Sequence, residues 1–334
     1  MIAAFAGHYV HASTMTFAAS AVALIGLSKV LGDATEQLSH YVGQRLAGFV
    51  NVSLSNLAEL IILYVAVREG MIGLVQGGIV GSIVGNIMLV MGLSIYFGCR
   101  KNGSMKFDQS TASLSVQLFY LAASTLMLAT LFVDRITPAK QETFSDLLAL
   151  MLIGAYAYFY WVMMTDPRYK RVGEQAHELN HRWPKSIAIA ALVGAATGAF
   201  FMSEFLVHEI EPVARAFSFS PQFMGFILVP LMSNIAEHFV AITAARKRMT
   251  ELSLTVAIGS ASQVAMVVAP CTVLYGIITG NAVSLNFTAL PLGLFIMSVI
   301  GAYLVLKDGE WHEHEGVMLL MLYGAVVIGF WFTQ

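Results

Sequence analysis

The sequence predicts an all-α polytopic membrane protein with about ten transmembrane helices in two inverted five-helix repeats. Of its 334 residues, 57% are hydrophobic and 11% are charged, whereas a soluble domain is about 25% charged. Apolar runs of about 20 residues match the hydrocarbon thickness of a bilayer. One part of the chain also resembles a part that lies 178 residues later. The first two observations predict the spans, and the third predicts the repeats.

The composition narrows the class of function. The low charge excludes an ordinary soluble enzyme, and a formal net charge of −2 provides no basic surface for nucleic acid. Cys99 and Cys271 are too few for a disulfide framework or a thiolate metal cage. We therefore expect a protein whose partner is the lipid bilayer, with no enzymatic activity and no cofactor.

The hydropathy pattern predicts ten spans. They cover residues 13–31, 37–67, 72–98, 111–133, 144–164, 185–207, 222–245, 252–277, 285–305 and 316–333. Loops on one side carry 13 Lys and Arg residues, and loops on the other side carry four. The positive-inside rule places the richer side in the cytoplasm, so both termini are expected outside. We expect the chain in the plasma membrane of a prokaryote.

The internal repeat aligns residues 55–98 with residues 233–276, with 13 identities in 44 positions. Each copy contains five spans, an odd number, so the two copies insert with opposite orientation. Inverted repeats are typical of secondary transporters. The predicted domains are residues 1–165 and 185–334, joined by a cytoplasmic linker at residues 166–184.

Two glutamates, Glu59 and Glu237, are predicted inside the second and seventh spans. A charge at the bilayer centre costs about 2.5–3.5 kcal/mol, so such a group faces a cavity, titrates or binds a cation. Asn56 and Asn234 each precede a glutamate by three residues, which puts each pair on one helix face. Carboxylate and amide oxygens suit a hard cation such as Ca²⁺.

Further polar side chains surround these positions in the sequence. The third and eighth spans add four oxygen-bearing residues, namely Ser82, Asn86, Ser260 and Gln263. Three neighbours are accessory candidates, namely Ser55, Ser233 and His238. The serines are equally consistent with interhelical hydrogen bonding. Glycines at 73, 77, 81 and 85 predict close helix packing, and carbonyls freed by Pro230 are further candidate ligands.

These motifs resemble those of the Ca²⁺/cation antiporter superfamily, and within it the Ca²⁺/H⁺ (cation/proton) exchangers. The matching stretches are SNLAELI and GSIVGN in the first repeat, and SNIAEH and GSASQ in the second. The resemblance implies a cation site between the second, third, seventh and eighth spans, with Glu59 and Glu237 as the principal Ca²⁺ ligands. Serine stands at the family's glycine positions in both copies.

We accordingly expect a secondary active antiporter that exchanges Ca²⁺ for H⁺ by alternating access, with two midplane glutamates shared by the cation and protons. The alternatives are a Na⁺/Ca²⁺ exchanger of the same fold, a passive divalent-cation channel and a membrane enzyme. His238 and Gln263 match the proton-coupled pattern. Residues 208–209 and 312–315 contain histidine and glutamate without the spacing of a zinc motif, and we interpret both as solvated charge in loops.

Overall fold

The computed structural model describes residues 13–41, 54, 56–133, 135–165 and 183–332. The helices are α1 (Ser13–Ser39), α2 (Leu57–Arg68), α3 (Ile72–Val84), α4 (Met91–Asn102), α5 (Gln109–Val133), α6 (Pro138–Thr165), α7 (Lys185–Phe217), α8 (Pro221–Arg246), α9 (Thr250–Gln263), α10 (Ala269–Thr279), α11 (Ala289–Leu306) and α12 (Glu313–Phe332). Two π-helical segments, π1 (Gly85–Val90) and π2 (Val264–Val268), join α3 to α4 and α9 to α10. Strands β1 (Met105–Lys106) and β2 (Glu310–Trp311) pair antiparallel.

Nine helical stretches within the described ranges are long and apolar enough to cross a membrane. They are Ser13–Ser39, Ile72–Asn102, Val116–Val133, Lys140–Val162, Lys185–Phe217, Pro221–Arg246, Thr250–Thr279, Ala289–Leu306 and Glu313–Phe332. A helix satisfies its backbone polar groups internally, as hydrocarbon requires. Large apolar side chains such as Ile278 and Phe332 are 80% and 82% exposed, which suits contact with lipid. The chain is an integral membrane protein.

Several predicted boundaries change. Helix α1 continues to Ser39, past the expected end at residue 31, because Leu31, Ala34 and Thr35 keep one face buried. The described part of the predicted second span is the 12-residue helix α2. The remaining parts of that span at residues 42–53 and 55 lie outside the described residues. So do residues 1–12 and most of the predicted linker, residues 166–182.

The two histidine–glutamate stretches are not in loops, contrary to the prediction. Residues 208–209 lie inside α7, and Glu209 is buried at 8% exposure. In the second stretch, α12 already begins at Glu313. Membrane helices continue beyond their apolar stretches, and the hydropathy pattern marks the apolar part alone.

The helix bounds repeat at the offset found in the sequence. Shifted back by 178 residues, α9 covers 72–85, and α3 covers Ile72–Val84. The same shift takes π2 to 86–90, and π1 covers Gly85–Val90. Because π-helical segments are rare, their recurrence shows that the repeat extends to local backbone conformation.

The first of two compact units comprises residues 1–78, 177–236 and 334. Within it α7 packs against α1 and α2. Arg68 Nη2, at the end of α2, lies 2.7 Å from Glu204 Oε1 on α7 and forms an ion pair with it. These contacts fix the position of α2 in this unit.

Glycines bring α3 and α8 into backbone contact in the first unit. A Cβ added at Gly225 would lie 2.4 Å from the Leu74 carbonyl oxygen, and one at Gly77 would lie 2.2 Å from the Gln222 carbonyl oxygen. Gly73, another member of the predicted glycine series, has nothing within 4 Å of the same position among the described residues. The four-residue spacing therefore predicts the close approach at Gly77 and fails at Gly73.

The second unit comprises residues 79–176 and 237–333. Helix α12 packs on α4, α10 on α6, and both α9 and α11 on α5. The β1–β2 pair joins the loop after α4 to the loop after α11, with Met105 opposite Trp311. Trp311 is fully buried, and Cys99 Sγ donates to its carbonyl oxygen at 3.3 Å.

Candidate cation site

Glu59 lies in the first turn of α2 and is 0% exposed. In the first unit, the amide Nδ2 of Asn234 on α8 donates to Glu59 Oε2 at 3.1 Å. Asn56 is the N-cap residue of α2, one turn before Glu59, and is 4% exposed. The structure thus brings the first predicted glutamate against the asparagine that the repeat aligns with Asn56.

The second oxygen-bearing group of Asn234 is available for a ligand. Its Oδ1 is buried, and it has no hydrogen-bond partner among the residues that the structure describes. A buried acceptor left in this state costs about 1–3 kcal/mol. A cation bound at this oxygen would recover that free energy.

Glu237 is a half-buried residue of α8 and belongs to the second unit. Ser260 Oγ on α9 donates to Glu237 Oε2 at 2.9 Å. Gln263, one turn further along α9, is 8% exposed. The second glutamate therefore also has a neutral hydrogen-bond donor from a neighbouring helix, as the predicted site requires.

Ser82 and Asn86 lie in the same unit and are 0% and 2% exposed. Ser82 Oγ and Asn86 Nδ2 have no hydrogen-bond partner within the described part of the chain. In a packed interior most buried polar groups are satisfied. Their state fits side chains that serve a ligand.

Two features of the second unit were not predicted from the sequence. Asn86 is the second residue of π1, and Gln263 directly precedes π2; π-helical segments occur frequently at functional sites. The signal in the sequence was the one-residue displacement of the amide between the repeats. Tyr156 on α6 is within hydrogen-bonding reach of Gln263, and nothing in the sequence distinguishes it from a packing aromatic residue.

The accessory candidates differ from one another. Ser233 Oγ donates to the Val229 carbonyl oxygen at 2.8 Å, within α8. Helix α8 continues through Pro230 from Pro221 to Arg246. His238 follows Glu237 and is half-buried, and Ser55 lies outside the described residues. The Ser233 hydroxyl is therefore engaged by its own helix.

Comparison with known proteins gives consistent matches over nearly the whole chain. The family model described as sodium/calcium exchanger protein matches residues 12–165 and 187–332. A Ca(2+)/H(+) antiporter of Aphanothece halophytica is 30% identical over 345 residues, covering 98% of this chain and 92% of the relative. The Ca(2+)/H(+) antiporter ChaA of Bacillus subtilis is 30% identical over 323 residues, covering 95% of this chain and 92% of the relative.

A solved structure agrees with these sequence matches. The structure of native YfkE has a TM-score of 0.85 and 30% identity, and covers 98% of this chain and 95% of that one. The fold is that of these exchangers, an all-α membrane protein with two inverted five-helix repeats. The chain belongs to the sodium/calcium exchanger protein family, in the Ca²⁺/H⁺ exchanger subfamily of the Ca²⁺/cation antiporters.

Proposed function

We propose that the chain is a secondary active antiporter that exchanges Ca²⁺ for H⁺ across the membrane by alternating access. Ca²⁺ binds when the carboxylates of Glu59 and Glu237 are ionised, and protons replace it on the same groups. Competition for one pair of carboxylates couples the two fluxes without a separate proton relay. Inward protons then drive cytoplasmic Ca²⁺ out of the cell. The antiporter relatives support this reaction.

The observation that carries the proposal is that both repeat-related glutamates accept hydrogen bonds from neutral side chains on other helices. Asn234 donates to Glu59, and Ser260 donates to Glu237. An amide or a hydroxyl orients a carboxylate without bringing a positive charge that would compete with Ca²⁺. The same donors remain compatible with a carboxyl group that has taken up a proton.

The helix bounds support a position for both glutamates near the bilayer midplane. Glu59 lies nine residues before Arg68 at the end of α2, and Glu237 lies nine residues before Arg246 at the end of α8. Nine residues of helix rise about 14 Å. This is about half of a hydrocarbon core roughly 30 Å thick.

The remaining ligands are proposed from the buried oxygen-bearing side chains. Ca²⁺ takes about 6–8 oxygen ligands. Besides the two glutamates, we assign to the site Asn56, Asn234, Ser82, Asn86, Ser260 and Gln263, with Ser55, Ser233 and His238 as accessory positions. No resident cofactor takes part, and we place the chain in a prokaryotic plasma membrane with both termini outside.

The test is Ca²⁺ uptake by purified protein in liposomes under an imposed pH gradient. We expect uptake in Glu59→Gln and in Glu237→Gln to fall to the level of protein-free liposomes. Glu142→Gln, the same substitution at an exposed position on α6, is the matched control and should transport normally. A normal rate in either site variant would refute the proposed roles, and single-channel currents would indicate a pore.

A further inference from the structure

A second group of metal-binding side chains lies at the start of α12. Asp308, His312 and Glu315 each offer one ligand atom, and these atoms all lie within 4.8 Å of one another. The group shares no residue with the proposed cation site. We propose that Asp308, His312 and Glu315 bind a transition-metal ion of the zinc class, separately from the transported cation.

The backbone around this group is held in place by contacts that need no ion. The loop turns at Gly309, which has a φ of 76°, and Trp311, just before His312, is fixed by strand pairing and complete burial. The His312 N–H donates to Glu315 Oε2 at 2.8 Å. The three ligands therefore start from a fixed backbone, which reduces the entropy lost on binding.

The Glu315–His312 backbone contact is a capping interaction of the kind found at helix N-termini. It engages one carboxylate oxygen, and a carboxylate offers about four lone-pair sites on two oxygens. His312 Nδ1 lies 3.8 Å from Glu315 Oε2, which is too long for a hydrogen bond. Two ligands at about 2.1 Å from a tetrahedral metal are roughly 3.4 Å apart, so a small shift would allow both to bind one ion.

The donor set indicates which metal would bind. One imidazole and two carboxylates suit Zn²⁺ and similar ions, whereas Ca²⁺ prefers oxygen ligands alone. Glu315 is 8% exposed and Asp308 is exposed, so one ligand is shielded from water and another is accessible to an entering ion. Glu310 and Glu313 add further negative charge along the same eight residues, 308–315, and attract cations.

Metal binding at this position would tie two helices together. Asp308 lies in the turn after α11, and Glu315 lies in the first turn of α12. A Cβ added at Gly316 would lie 2.8 Å from the Gly92 carbonyl oxygen of α4, so the start of α12 already packs tightly. A bound ion should therefore raise the thermal stability of the protein.

The test measures Zn²⁺ binding to the full chain in detergent, without an affinity tag and with excess Ca²⁺ present. Calorimetry should show one Zn²⁺ site in the wild type, weakened at least about tenfold in His312→Gln. His314→Gln is the matched control, since His314 is an exposed neighbouring histidine outside the group. Its affinity should stay within about twofold of the wild type. Zn²⁺ should raise the melting temperature of the wild type and His314→Gln, and leave that of His312→Gln unchanged.

Asp308→Asn provides a second variant at an exposed position, for use if His312→Gln does not fold, and should weaken Zn²⁺ binding as well. Co²⁺ should give the visible absorption of a bound ion in the wild type and lose it in both ligand variants. Equal Zn²⁺ affinity in the wild type and the ligand variants would overturn the proposal. So would an equal loss in His314→Gln, or displacement of Zn²⁺ by the excess Ca²⁺.

Discussion

Replacing Asn234 with alanine should weaken Ca²⁺ binding without abolishing the fold. Its amide donates to Glu59 Oε2 at 3.1 Å, and the two residues are 1% and 0% exposed. A hydrogen bond to a charged group contributes about 1.5–3 kcal/mol. At 1.36 kcal/mol for each factor of ten, the Ca²⁺ concentration for half-maximal uptake should rise by about 10- to 150-fold.

The assay is Ca²⁺ uptake into liposomes at a fixed pH gradient over a series of Ca²⁺ concentrations. Gln117→Ala is the control because Gln117 is an exposed amide residue of α5 whose side chain donates to Ser113 one turn earlier. Size-exclusion chromatography in detergent reports whether each variant folds. An unchanged half-maximal concentration in a folded Asn234→Ala protein would refute the reasoning, because the contact would then contribute nothing to the ionised site.

The remaining predictions concern packing, one serine and pH. Gly225→Ala places a Cβ 2.4 Å from the Leu74 carbonyl and should cost about 1–3 kcal/mol, measured as a lower melting temperature, whereas Gly73→Ala should not lower it. Ser233→Ala should change Ca²⁺ affinity by less than about twofold, since that hydroxyl donates to Val229; a change as large as that in Asn234→Ala would return Ser233 to the site. Lowering the pH on the side from which Ca²⁺ is taken up should raise its half-maximal concentration and leave the maximal rate unchanged; a change in maximal rate alone would contradict competition.

Much of the architecture could be predicted because it follows from hydrophobicity and from repetition. The bilayer requires helices of a minimum length, and the offset of 178 residues predicts where helices recur. Hydropathy is a weaker guide to helix ends, because a helix can continue into polar sequence, as α1 does beyond residue 31. The division of the chain at residues 1–165 and 185–334 stays a prediction.

The candidate site could be predicted in its residue types and less well in its contacts. Glu59 and Glu237 are conspicuous because charge is costly in a membrane. The partners that donate to them come from other helices, and single-helix spacing does not identify such partners. The Ser233 hydroxyl could equally have faced the site or its own backbone, and the structure shows the second arrangement. The π-helical segments depend on packing between helices and were therefore not predicted.

The most direct measurement of the central claim is Ca²⁺ uptake by the wild-type protein in Na⁺-free liposomes under an imposed proton gradient. The account predicts that the proton gradient alone drives uptake, that Ca²⁺ entry is accompanied by proton release, and that Glu237→Gln abolishes both. Uptake that appears only when a Na⁺ gradient replaces the proton gradient would contradict it, and would assign the chain to sodium-coupled exchange.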